Sequence, residues 1–141
     1  MRMCALLLCL FTGLAHAQEA RVVSEVVRRS GYERELVERY WQTGCAEAGS
    51  NAENICVLYG FVAGDMKLTD TYRSLLATLK DSEAKTKLRA AQRAWLNYRD
   101  LSCKFEVHGE SGLYAAMITN GCMASRTTAR LKELQAYLEG R

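Results

Sequence analysis

The residues best able to do chemistry in this 141-residue chain are its six cysteines, its two histidines and a few charges set on apolar stripes. A cysteine nucleophile needs a base within hydrogen-bond reach, and a structural zinc site needs about four sulfur, nitrogen or oxygen ligands. The chain has no Cys-x-x-Cys pair, and beyond its first seventeen residues it has one imidazole, His108. Neither a thiol–imidazole pair nor a zinc site is therefore expected, and no other cofactor is expected either. Cysteines without such company serve a protein best as disulfides, which persist where the compartment is oxidising.

The start of the chain argues for such a compartment. Arg2, an apolar run from Cys4 to Phe11 and small residues ending in Ala15, His16 and Ala17 follow the three-part plan of a cleavable secretory leader. The run is too short to cross a hydrocarbon core of ~30 Å, and no later stretch approaches ~20 apolar residues, so membrane insertion is not expected. Lipid anchoring would need a small residue before the acylated cysteine, but Met3 precedes Cys4 and Leu8 precedes Cys9. Cleavage after Ala17 discards those two cysteines and leaves Cys45, Cys56, Cys103 and Cys122 in a periplasmic or secreted protein. Four cysteines allow three pairings, and sequence alone does not choose among them. The sequential pairs, Cys45 with Cys56 and Cys103 with Cys122, are the expectation, each stabilising the fold by roughly 3 kcal/mol in a chain-entropy model.

Elements must position these residues, and the periodicity is helical throughout. There is no proline. The expected fold is all-α: a small disulfide-braced bundle with main helices at about 51–80, 82–103 and 114–138, preceded by a helical extension over 18–43. The domain proper spans 44–141. The extension mixes arginines and glutamates around Val22, Val23, Val26 and Val27, with a break near Ser30 and Gly31. Residues 44–49 read as a loop, after which Ser50 with Glu53 makes a capping box. In the first main helix Leu58, Val62, Asp65, Thr69, Tyr72, Leu76 and Leu79 recur at three- and four-residue steps. Gly60 and Gly64 weaken it, by ~1 kcal/mol each relative to alanine in a helix interior. Asp81 or Ser82 caps the next helix, whose stripe is Leu88, Gln92, Trp95 and Arg99. The last helix turns Met117, Ala124, Leu131, Leu134 and Leu138 to the core.

Asp65 and Arg99 stand on apolar stripes, where an unpaired charge is expensive to bury. With a turn centred near Asp81, the two lie at nearly the same height and are expected to pair across the hairpin. The same register sets Leu68 near Trp95, and Tyr72 near Ala90 and Ala91. Gln92 is expected to satisfy a neighbouring polar group, and Trp95 and Tyr98 to be core aromatics with polar tips at the rim. The row Lys85, Arg89 and Arg93 is basic but has no interleaved aromatic platform. Removing Arg2 with the leader leaves 18 basic against 16 acidic residues. Nucleic acid is therefore not an expected partner. No nucleophile, base and orienting group converge, so an enzyme is not expected.

Several of these residues also form a pattern. Cys45 and Cys56, then Asp65, Leu68 and Tyr72, then the block from Ala91 to Asp100 with Cys103, then Cys122 with Thr128, Arg130 and Leu131 resemble the LprI-like lysozyme inhibitor domain, over roughly Cys45 to Leu138. The resemblance implies an exported, disulfide-bonded helical protein that inhibits lysozyme as a bacterial defence. An inhibitor of this kind blocks a glycosidase by laying a loop across the cleft that holds its two catalytic carboxylates. The segment from Lys104 to Leu113 is the expected longest loop and the first choice for that contact, with Lys104, Glu106, His108, Glu110 and Ser111 as its polar groups. The alternative is an envelope-binding module whose basic row holds peptidoglycan, another anionic polymer or a protein partner.

Overall fold

In the computed structural model the described residues are 3–43, 45 and 49–140, with side chains described from His16 onward except that of Ser50. Five α-helices follow one another: α1 (Met3–Ser30), α2 (Arg34–Gln42), α3 (Ser50–Thr78), α4 (Ser82–Glu106) and α5 (Gly112–Leu138). The described residues contain no strand, and the fold is a small all-α bundle with two disulfides. No helix among them is long and apolar enough to cross a membrane. The apolar side chains of the expected leader, and Gly44, Ala46, Glu47 and Ala48 of the first loop, lie outside the described residues. The α1 backbone runs without a break through Ala17.

Helix ends follow local chemistry. Gly31 takes φ +75°, a conformation that favours glycine, and so ends α1 and turns the chain into α2. Asp81 caps α4, its carboxylate accepting from the backbone N–H groups of Ala84 at 2.9 Å and Glu83 at 3.2 Å. The expected capping box at the start of α3 is corrected. Helix begins at Ser50 itself, and Gly49 takes the cap position with φ +141°, which a side-chain-bearing residue rarely adopts. The backbone carbonyl of Gly49 accepts from the N–H of Glu53 at 3.0 Å.

Two apolar clusters form the core, stacked along α3. The first joins Val22, Val23 and Val26 of α1 and Val37 of α2 to Ile55, Leu58, Tyr59, Phe61 and Val62 of α3. The second joins Leu68 and Leu75 of α3 to Leu131 and Leu134 of α5, with Tyr72, Leu88 and Trp95 packed against it. The segment 18–43 thus supplies one wall of the first cluster. Trp41 adds to it by stacking on Tyr59 at a ring separation of 3.7 Å.

α3 packs most closely on α5, not on α4 as the hairpin register suggested. The cause is side-chain size. Where the two helices approach, Gly64 faces the Thr127 methyl and Gly121 faces Val57, so backbones can come near each other. α4 instead turns Gln92, Trp95 and Arg99 inward, and these bulky groups hold it away. Three stripe assignments are also corrected. Leu75 is buried where Leu76 is only partly so, Thr69 is exposed, and Leu138 is exposed because α5 outruns the core at its end.

Val26 is fully buried and belongs to the part of the chain that precedes the disulfides. Replacing it by alanine removes two methyl groups' worth of burial and leaves a cavity, so Val26→Ala is expected to lower unfolding free energy by about 2 kcal/mol. Urea unfolding of the oxidised protein measures this. A loss below about 0.5 kcal/mol would mean that α1 is not part of the folded core.

Candidate functional site

The charges that interrupt the apolar stripes meet between the two clusters. Arg99 Nη1 donates to Asp65 Oδ1 at 2.8 Å and to Thr127 Oγ1 at 3.1 Å. The second oxygen of Asp65 accepts from Arg29 Nη2 at 3.1 Å, and Arg99 Nε donates to Asp100 Oδ1 at 3.0 Å. Four helices, α1, α3, α4 and α5, are thus tied at one point. The Arg99 side chain is only 8% exposed. Its guanidinium also lies 5.3 Å from the Phe61 ring and 5.2 Å from the Trp95 ring, where the ring faces offer further stabilisation to a partly dehydrated cation.

Gln92 is buried about two helical turns away, and its carbonyl accepts from Arg130 Nε at 3.1 Å. Leu68, Tyr72 and Trp95 lie in the second cluster beside it. Tyr98 does not join them. It is 56% exposed on the outer side of α4, and its hydroxyl accepts from Arg126 Nη1 at 2.8 Å. These residues form a brace in which Asp65, Arg99, Thr127, Arg29 and Asp100 hold one another, with Asp65 and Arg29 partly exposed at its edge.

Outside the brace, Glu25 receives Arg28 and Arg29 at 2.6 to 2.8 Å. The hydrogen bonds from Arg28 and then Arg29 hold its carboxyl well below the ordinary 4.5, at about 2. No group of three or more His, Cys, Asp or Glu is placed to hold a metal ion among the described residues.

The expected loop is shorter than its sequence suggested. α4 continues to Glu106 and α5 begins at Gly112, so Lys104, Phe105 and Glu106 are helical and only Val107–Ser111 connects them. Three ties account for the extra turn. The Cys103–Cys122 disulfide joins the two helices, Arg126 Nη2 donates to Glu106 Oε1 at 2.7 Å, and the N–H of His108 reaches the Phe105 carbonyl at 3.0 Å. Glu106 is therefore neutralised within the fold. Lys104, His108, Glu110 and Ser111 are exposed, so the connection forms a short polar tip at one end of α4 and α5. The other disulfide, Cys45–Cys56, ties the loop before α3 to that helix. In the basic row Arg89 and Arg93 are exposed and Lys85 is half-buried, and none makes an ion pair among the described residues.

Comparison with known proteins agrees with this architecture. The model of the family described as lysozyme inhibitor LprI matches residues 45–134. This chain belongs to the LprI lysozyme inhibitor family. The match contains both disulfides, Asp65, Arg99, Thr127 and the polar tip, and excludes α1 and α2. A similar protein, an uncharacterized one from Rhizobium meliloti (strain 1021), is 33% identical over 111 residues, covering 67% of this chain and 78% of the relative. No solved structure matches this chain.

Sequence reasoning found Asp65 and Arg99 but not their other partners. Arg29 was hidden because no single turn joins α1 to α3 from which a register could be counted, and Thr127 because a threonine on a helix carries no signal of its own. Removing one member of a buried pair strands the other charge. Arg99→Met and Asp65→Leu are each expected to lower stability by about 3 kcal/mol in denaturant unfolding; a change under about 0.5 kcal/mol would mean the brace contributes nothing. Acid unfolding should show a separate effect. A carboxyl lowered from 4.5 to about 2 contributes stability above pH 4.5 that is lost as pH falls through 2. Glu25→Gln should therefore flatten the stability profile between pH 5 and pH 2 and leave its shape above pH 6 unchanged.

Proposed function

We propose that this protein works outside the cytoplasm, inhibiting lysozyme or a related peptidoglycan hydrolase by covering its cleft with the polar tip between α4 and α5. The observation that carries the reading is membership of the LprI lysozyme inhibitor family across residues 45–134. The two disulfides and the leader-like start of the chain support an oxidising, extracytoplasmic setting. The central brace supports a role without chemistry of its own, since Asp65, Arg99 and Thr127 are hydrogen-bonded to one another.

The tip suits occlusion. His108, Ser111 and the ammonium of Lys104 offer donors to the two carboxylates of a glycosidase cleft. The disulfide and the Arg126–Glu106 ion pair fix the base of the tip, so little ordering entropy is lost on binding. Charge works differently. Common animal lysozymes are strongly basic, this chain carries net charge +3, and Glu106 is already neutralised, so long-range attraction does not assist the encounter. Short-range fit must supply the affinity. The alternative, an envelope-binding module using Lys85, Arg89 and Arg93, has its support in the exposure of Arg89 and Arg93; its signature is salt-sensitive retention on isolated cell walls.

A turbidity assay on bacterial cell walls tests the proposal with lysozymes of several types. Oxidised protein in molar excess is expected to slow lysis by at least one type. His108→Ala with Ser111→Ala should relieve that inhibition by about tenfold without altering the melting transition. If no lysozyme type is slowed, inhibition is wrong; if the double variant inhibits as well as wild type, the tip is not the contact.

A further inference from the structure

α4 carries two apolar stripes, and the fold uses only one of them. The inward stripe is Leu88, Gln92, Trp95, Arg99 and Cys103. The outward one runs Ala84, Lys87, Ala91, Ala94, Tyr98, Leu101 and Phe105, with steps of three and four residues alternating without interruption across three heptads. That spacing is the seam of a two-stranded helical pairing, in which side chains at the first and fourth heptad positions interlock with those of a facing helix. Most of it is open: Phe105 is 79% exposed and Leu101 58% exposed, and Ala91 and Ala94 are exposed as well, while Arg126 lies over the Tyr98 ring and Ala84 is half-buried.

The seam is graded in size and in charge. Its first half is small, Ala91 and Ala94, and its second half is bulky, Tyr98, Leu101 and Phe105. The first half of α4 carries Lys85, Lys87, Arg89 and Arg93 against Glu83, whereas the second half carries Lys104 and Arg99 against Asp100 and Glu106. A second copy laid parallel would set bulk against bulk and the basic half against the basic half. Laid antiparallel, about a twofold axis at Leu96, it sets Ala94 against Tyr98, Ala91 against Leu101 and the Lys87 stem against Phe105. Each large residue then meets a small or flexible one, and the basic half meets a near-neutral one. Such an interface is self-complementary, as a twofold dimer requires.

We infer that the outer face of α4 pairs antiparallel with the same face of a second copy, forming a homodimer through the heptad from Ala84 to Phe105. The seam is ~30 Å long at 1.5 Å per residue. With a large aromatic side chain presenting roughly 150–250 Å², the exposed parts of Tyr98, Leu101 and Phe105 amount to roughly 350 Å² per copy. Doubled, and with the alanines and lysine stems added, the buried area reaches about 1,000 Å², the lower bound of a specific interface. The dimer is accordingly a reversible one of micromolar strength. In this register Val107–Ser111 of one copy run beside residues 81–85 of the other, so the two tips lie at opposite ends of the dimer. The inference stands independently of what the tips bind.

Sedimentation equilibrium of the oxidised protein across micromolar concentrations tests the pairing, with Leu101→Glu and Phe105→Glu as exposed-site variants and circular dichroism as the check on folding. The wild type is expected to associate reversibly to a dimer, and each variant to raise the dissociation constant at least about tenfold with its helix content unchanged. Cysteine trapping reads the direction. Ala91→Cys mixed with Leu101→Cys should cross-link, while Ala91→Cys alone should not, because the axis sets its two copies ~15 Å apart. A wild type that stays monomeric to about 100 µM overturns the proposal, as do glutamate variants that associate undiminished. Cross-linking of Ala91→Cys to itself overturns the antiparallel arrangement. A monomeric wild type whose grip on lysozyme, or on phosphatidylglycerol vesicles, is weakened by Leu101→Glu assigns the stripe to that partner instead.

Discussion

The Asp65 carboxylate sets the geometry of this bundle. It sits on α3 between the valine-rich cluster built with α1 and α2 and the leucine cluster built with α5, and it receives Arg99 from α4 and Arg29 from α1. Arg99 then reaches Thr127 on α5. Apolar packing is indifferent to small sliding motions of one helix along another, but three hydrogen bonds to fixed oxygens are not. The brace therefore fixes the axial register of four helices, and the two clusters fill in above and below it. Its location also explains why α4 stands off from α3: an arginine and a tryptophan occupy the space that smaller residues leave open between α3 and α5.

With register fixed at the middle, the disulfides act at the ends. Cys45–Cys56 holds the loop entering α3, and Cys103–Cys122 holds α4 to α5 next to the tip. A bundle this small buries a limited apolar area, and covalent ties compensate by restricting the unfolded chain. The entry to α3 and the end of α4 are thus cross-linked, while the centre relies on charge and packing.

The sequence made the long-period features legible. Three- and four-residue spacing located the main helices to within a few residues, and counting from the turn at Asp81 placed Asp65 opposite Arg99. What it concealed was contact between distant segments. Val22, Val23 and Val26 read as part of an appended helical segment outside the domain; only α3's reciprocal face, Leu58, Tyr59 and Val62, shows that they belong to the core. The shortened loop was hidden for a similar reason. Lys104, Glu106 and two nearby glycines look like a polar connection, yet Arg126, twenty residues later, captures Glu106 and carries the helix one turn further.

The same extension of α4 couples its two faces. Had the helix ended at Cys103, Phe105 would belong to a loop and the outer stripe would stop at Leu101. Because the Glu106–Arg126 ion pair and the disulfide keep the last turn helical, Phe105 stays in step with Tyr98 and Leu101, and Val107–Ser111 is left as a short connection on a rigid base. A mobile ten-residue loop would have to be ordered each time it met a partner, and that cost would come directly out of affinity. A five-residue tip ordered in advance avoids it. The interactions that spend Glu106 as a surface charge thus reduce electrostatic steering at the tip and supply preorganisation in its place.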